Sequence, residues 1–217
     1  MAASPGWQTT IKINNTATIA NGEACSGATT TWQITSAAKR ILDPSVTPTW
    51  YDNGTPVLAA DIVSVNYLTG TVVFTGSKTG PITVDMQYYP MVSYTGAKSV
   101  DVNFSADDLD TSVFGTQWRS HIQGLKTATG KIDNLELLTS DLNPNPDPVI
   151  LSDIFSAGTQ VVLELSPDAG TTFYRFWAIL LNADESSAVD ALIVTSASFT
   201  SVAITAADGT IVDVSLT

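Results

Sequence analysis

The residues of this chain whose types could do chemistry are few: the aspartates Asp107, Asp108 and Asp110, one histidine, His121, and one cysteine, Cys25. Clustered carboxylates can hold a hard cation through oxygen ligands. This run, however, lacks both the Asp-x-Asp-x-Asp-Gly spacing and the distal glutamate of an EF-hand loop. It reads instead as a solvated or interface-facing acidic turn, a candidate inter-subunit loop. A single histidine and a single cysteine cannot make a zinc ligand set. His121, beside Ile122, reads as a core or interface histidine. Cys25 has no second cysteine to pair with and reads as a small buried hydrophobe. No GxSxG elbow, HExxH pair or GxxxxGK[ST] loop occurs. The expectation is a chain that is not an enzyme, with no cofactor and no metal.

Composition points to assembly rather than catalysis. Of 217 residues, 44% are hydrophobic and 14% charged, against roughly 25% charged in ordinary soluble domains. Oligomer interfaces deplete charge and cover edge strands that would otherwise aggregate. The net charge of −12, with nine scattered basic residues, argues against a nucleic-acid-binding face, because phosphate contacts need clustered Lys and Arg. The longest solid apolar run, Phe176 to Leu181, is far short of the ~20 residues of a spanning helix. Met1-Ala-Ala-Ser-Pro-Gly has neither a basic region nor an apolar stretch, so no signal peptide is expected.

Val, Ile and Thr abound, which favours sheet. The clearest strand pattern runs from Trp50 to Tyr89. Ile82, Val84, Met86 and Tyr88 alternate with Thr83, Asp85 and Gln87, and turns at Asp52-Asn53-Gly54, Leu68-Thr69-Gly70 and Gly76 to Pro81 separate short strands. This predicts an antiparallel meander. Trp7 to Ile13 predicts an opening strand, and Asn14 to Ala28, without a sustained period, a loop or arm. Thr29 to Thr35 resumes strand character, while Ser36 to Leu42 fits either a helical turn or more strand. Trp118, His121, Ile122 and Leu125 recur at helical spacing behind a candidate cap, Thr116. A second helix is marked by Asp147 as cap, Pro148 at the first position and Gly158 at the stop, after an extended loop over 139–148. Phe173 to Leu181, apolar on both faces, predicts a central strand or one covered by another subunit. Strands are also predicted from Val100, from Val161, over Leu192 to Ile204 and over Thr210 to Leu216. Nothing marks a domain boundary, so 1–217 reads as one domain with a strand or arm over 1–28.

Asp52-Asn-Gly54, then Val65-Asn-Tyr67-Leu-Thr-Gly70-Thr-Val-Val-Phe74, then Val84 to Tyr88-Tyr89-Pro90 resembles the first half of the tail tube proteins of long-tailed, siphovirus-like phages and of gene transfer agents. Lys98 to Phe104, Asp107 to Asp110 and Trp118 to Gly130 are similar to that family's middle segment, and Phe173 through Asp184 to Phe199 to its closing one. Order and spacing carry the resemblance, over most of Thr29 to Ile204. It implies a mainly β, antiparallel β-sandwich or barrel-like subunit with one or two short flanking α-helices. Six subunits would form a ring, and stacked rings a tube through which genomic DNA leaves the virion. The partners implied are other copies of the chain and tail proteins at the tube ends, with DNA passing unbound and no membrane. The protein would be made in the host cytoplasm and reside in the virion tail.

Two other readings share the strand pattern. One is a carbohydrate-binding or adhesin-like module, with Trp32, Trp50 and Tyr51 as a sugar platform. The other is a tail-terminator or head-decoration protein, which forms rings without polymerising. Under the tube reading the lumen must not hold DNA, which carries one negative charge per ~1.7 Å of axis. A lumen with more Asp and Glu than Lys and Arg is therefore expected, with Asp85 and Asp101 as candidates on polar strand faces.

Overall fold

The computed structural model describes residues 10–94, 99–110, 121–137, 156–166, 174–186, 193–212 and 215–216. Their backbone is mostly antiparallel strand in two large sheets, as the sequence predicts.

The first sheet contains β2 (Thr18–Ala28), β3 (Thr31–Ile34), β4 (Thr49–Asp52), β5 (Thr55–Pro56), β6 (Ile62–Asn66), β7 (Thr71–Phe74) and β8 (Ile82–Tyr88), in the order β5-β4-β8-β2-β3-β7-β6. The period of β8 does what it predicts, since Ile82, Val84 and Met86 are buried between half-buried Thr83, Asp85 and Gln87. Asn53 and Gly54 turn β4 into β5 with φ of 51° and 79°, the left-handed pair that a two-residue type I′ hairpin needs. Gly70, at φ 62°, leaves no room for a Cβ, which would fall 2.9 Å from the Arg40 carbonyl oxygen.

The predicted simple meander is corrected. β6 and β7 pair, as do β4 and β5, but β7 and β8 do not, because β2 and β3 lie between them. The predicted arm over Asn14 to Ala28 is instead mostly the eleven-residue strand β2. In β2 only Ala20 is buried, so no hydrophobic alternation marks it, and the strand is held by its ladders to β8 and β3. Between Ala20 and Glu23 it bulges, with Gly22 at φ 64°. Ala37–Lys39 forms a short 3-10 turn, which settles the choice over Ser36 to Leu42 toward the helical-turn side.

The second sheet contains β1 (Thr10–Asn14), β9 (Met91–Tyr94), β10 (Ser99–Asp110), β11 (His121–Leu137), β12 (Val161–Ser166), β13 (Tyr174–Ser186), β14 (Ile193–Ser201) and β17 (Ser215–Leu216). Its path is β10-β11-β14-β13-β12-β1-β9, with β17 beside β13, and a small pair, β15 (Ile204–Thr205) and β16 (Ile211–Val212), stands apart. β9 and β10 lie at opposite ends of that path, yet only residues 95–98 connect them, a reach of roughly 18 Å at most. The sheet must therefore curl, and it does so as a half-barrel. Ile11, Ile13, Ile132, Leu163, Phe176 and Phe199 fill one of its faces, all at most 1% exposed. The Phe176 and Phe199 rings are 5.6 Å apart. Phe199 also lies over Gly130, its partner on β11, where an added Cβ would be 2.5 Å from the ring.

The other face of this sheet supplies Val162 and Trp177 to a second core with Trp50, Phe74 and Val84 of the first sheet and Tyr67 of the turn between β6 and β7. β12 is consequently buried along its whole length. β13, the predicted central strand, has neighbours on both sides and buries Phe176 and Ala178 in one core and Trp177 in the other.

Two further expectations are corrected. The helix read from Trp118, His121, Ile122 and Leu125 is, from His121 onward, the start of β11, with Asp110 opposite His121 and Leu109 opposite Ile122. Helical spacing of four residues is a weak signal, and pairing with a neighbouring strand outranks it. Asp107, Asp108 and Asp110 lie at the end of β10, with Asp107 in the bulge between Ala106 and Asp108 and the other two beyond it, and not on a turn. Thr116 and Trp118 fall outside the described residues, as do the extended loop over 139–148 and the second helix up to Phe155. That helix's end is seen: Ser156 and Ala157 are helical and Gly158 stops them at φ 60°. Among the described residues, no helix is long and apolar enough to cross a membrane.

Candidate assembly edge and charged cleft

β10 is the longest strand at an edge, twelve residues paired only with β11 among the described strands. Alternation along it places Asp101, Asn103 and Ser105, all exposed, on one face. Phe104, on the other face, is 48% exposed and lies 5.4 Å from the Tyr174 ring. An open edge strand presents a row of backbone donors and acceptors that another chain can pair with. At the other end of the same sheet, β9 is open in the same sense. The first sheet ends in β5 and β6 among the described strands, and Val63 of β6 is 62% exposed.

The two acids expected on polar strand faces differ in surroundings. The Asp85 carboxylate accepts the Gly22 N–H at 2.6 Å and the Tyr51 hydroxyl at 2.9 Å, tying β8 to the bulge of β2 and to β4. This is a structural role in the fold. Asp101 is exposed on β10, opposite Lys131 of β11. His121 and Asp110 face each other in register across β10 and β11. Among the described residues, no group of three His, Cys, Asp or Glu side chains could hold a metal. Trp50 is 1% exposed in the core, so the sugar platform of Trp32, Trp50 and Tyr51 is not assembled.

Cys25 is half-buried, and burial followed by the charge of Glu23 pushes its thiol up to about 12. Only the thiolate is nucleophilic. At pH 8 the folded protein should therefore alkylate about a thousandfold more slowly than an ordinary cysteine. Iodoacetamide labelling in native and denaturing buffer measures this, and equal rates would contradict it.

Three phenols are likewise held in their neutral form. Burial raises Tyr67, with Asp208 adding to the effect. Burial and then Asp43 raise Tyr89 to about 12. The hydrogen bond to Asp85, then burial, raises Tyr51. Above the ordinary phenol value of 10.0 the unfolded chain loses these protons first. Their contribution is thus complete below pH 10 and declines as pH rises toward 12. Melting followed from pH 9 to 12 should show stability falling over that interval, and constant stability would contradict the assignment.

The sequence reading missed one charged feature. Glu164 of β12 is 2% exposed and lies between Lys12 of β1 and Arg175 of β13, its direct cross-strand neighbours. Lys12 Nζ donates to Oε1 and Arg175 Nε to Oε2, each at 2.6 Å, and Arg175 Nη1 reaches across to the Leu68 carbonyl at 3.3 Å. This triad lines a cleft of about 650 Å³ where the two sheets meet. Residues 152 positions apart in sequence cannot announce such a pair. The one available signal was a lone glutamate inside the apolar run Val161 to Leu165.

No protein-family model matches this chain, and no curated protein matches it. Among solved structures, it is similar over part of its length to a chain in the tail of an empty gene transfer agent particle, computed with helical refinement and C6 symmetry. The TM-score is 0.42 and the identity 15%, covering 59% of this chain and 87% of that one. A chain in the virion of a native gene transfer agent particle gives a TM-score of 0.42 and 15% identity, over 58% of this chain and 88% of that one.

Proposed function

We propose that this chain is a structural protein of a virion tail, whose subunits associate edge to edge into rings that stack as a tube for DNA. The observation that carries the reading is β10, a long edge strand in a curled sheet whose other edge, β9, is open as well. A sheet with two open edges can continue into a neighbour on each side. If each step turns by a whole fraction of a circle with no rise along the axis, the series closes into a ring. A low share of charged residues, 14%, leaves few charges to desolvate where copies meet. The motif order from Asp52 to Phe199 supplies the link to tail tubes in particular.

Within such a tube the strands facing the axis need a neutral or acidic surface, because Lys and Arg would hold DNA by counterion release. Asp101, exposed on the edge strand, is the carboxylate assigned to that surface. Asp85 is assigned to fixing the β2 bulge. Other copies of the chain are the main partner, and tail proteins at the tube ends are the others. Sedimentation velocity over a hundredfold concentration range, at low and high salt, tests the reading. Rings or longer polymers should appear as concentration rises. A monomer under all conditions would overturn it. Rings that never lengthen would favour a terminator or decoration protein instead.

A further inference from the structure

Three of the chain's nine basic residues line the cleft described above: Lys12, Arg40 and Arg175. They come from different parts of the fold. Lys12 and Arg175 flank Glu164 on the second sheet, whereas Arg40 follows the 3-10 turn beside the first. Arg40 is fixed by backbone acceptors, its Nε donating to the Ile34 carbonyl at 2.8 Å and Nη2 to the Thr35 carbonyl at 3.4 Å. Carbonyls orient a guanidinium without neutralising it. Among the described lining residues, Glu164 is the only carboxylate, and Lys12 and Arg175 both already bind it. In a chain of net charge −12 this clustering runs against composition.

We propose that the cleft receives the acidic run Asp107, Asp108 and Asp110 at the end of β10 of a second copy. The inference rests on the assembly reading above and names one contact within it. Charge complementarity carries it: two copies of an acidic chain repel unless a local surface of opposite sign offsets the repulsion. The run places three carboxylates within four residues, and Asp107 is exposed. The bulge between Ala106 and Asp108 is the kind of irregularity that re-aims side chains at the end of a strand. A planar guanidinium suits a carboxylate in two parallel hydrogen bonds. The cleft volume, about 650 Å³, is in the range that admits a few side chains.

The test uses two sets of variants of the full chain. Asp107→Asn with Asp108→Asn and Asp110→Asn leaves the cleft untouched, and Arg40→Gln removes the lining cation that Glu164 does not hold. Each should raise the concentration of half-assembly at least about tenfold in sedimentation velocity at low salt, with a smaller effect at high salt. Arg40→Glu mixed with Asp107→Lys, each defective alone, should assemble together. Subunit melting is followed in parallel. If Arg40→Gln does not fold, the asparagine variant carries the test alone. Asparagine variants that assemble like the wild type overturn the inference while the assembly reading stands. Wild type that never assembles overturns both. Salt-sensitive binding of duplex DNA that is lost in Arg40→Gln, without any effect of the asparagine variants on assembly, would assign the cleft to phosphate and also overturn the inference.

Discussion

Proline at one of two neighbouring positions of β10, Asn103 or Phe104, is expected to raise the concentration needed for assembly at least about tenfold, through a lost inter-subunit backbone hydrogen bond and a ring clash. On an edge strand, successive residues direct their N–H and C=O groups alternately toward the paired neighbour and toward the open side. Asn103 stands opposite Thr129 and Phe104 opposite Ala128 on β11, so one of the two serves that internal ladder and the other faces outward. The outward proline should weaken assembly while leaving subunit melting nearly unchanged. The inward one should lower melting as well. Phe104→Ala controls for the lost ring contact with Tyr174. Half-assembly concentrations that do not move in either proline variant would remove β10 from the interface.

The second large effect concerns Glu164. Its side chain is 3% exposed and holds two cations, whereas Lys12 and Arg175 retain 28% and 14% exposure. Removing the carboxylate takes the shared anion from two cations on the strands that flank β12. Breaking a buried ion pair in this way costs about 3–5 kcal/mol. Glu164→Ala should therefore lower the melting temperature by roughly 6–20 °C for a chain of this size. Replacing all three residues together, as Lys12→Met, Glu164→Leu and Arg175→Met, should recover most of the loss, because desolvation of the charges then disappears with their attraction. A loss below about 1 kcal/mol in Glu164→Ala would mean that the triad behaves as a surface ion pair.

How much of this was legible in the sequence depends on where each element buries its side chains. β8 writes its environment into its alternating residues and β12 into Val161, Leu163 and Leu165, and both are where the sequence places them. β2 buries one alanine and so leaves no period to read. The position of β2 and β3 between β7 and β8 is set by long-range pairing, which local patterns do not contain. The start of β11 misled for the opposite reason, since His121, Ile122 and Leu125 fell at helical spacing with Trp118, while from His121 onward the pairing with β10 decided the conformation. The acidic run was visible as chemistry but not as strand. The cationic cleft was not visible, because its residues are far apart in sequence and meet only when the sheets pack.

Cryo-electron microscopy of the concentrated protein tests the central claim most directly. The account predicts closed rings, singly or in stacks, with β10 of one subunit paired to an open sheet edge of the next and more Asp and Glu than Lys and Arg facing the axis. Particles that remain single subunits, or rings joined through other surfaces with β10 open to solvent, would contradict it.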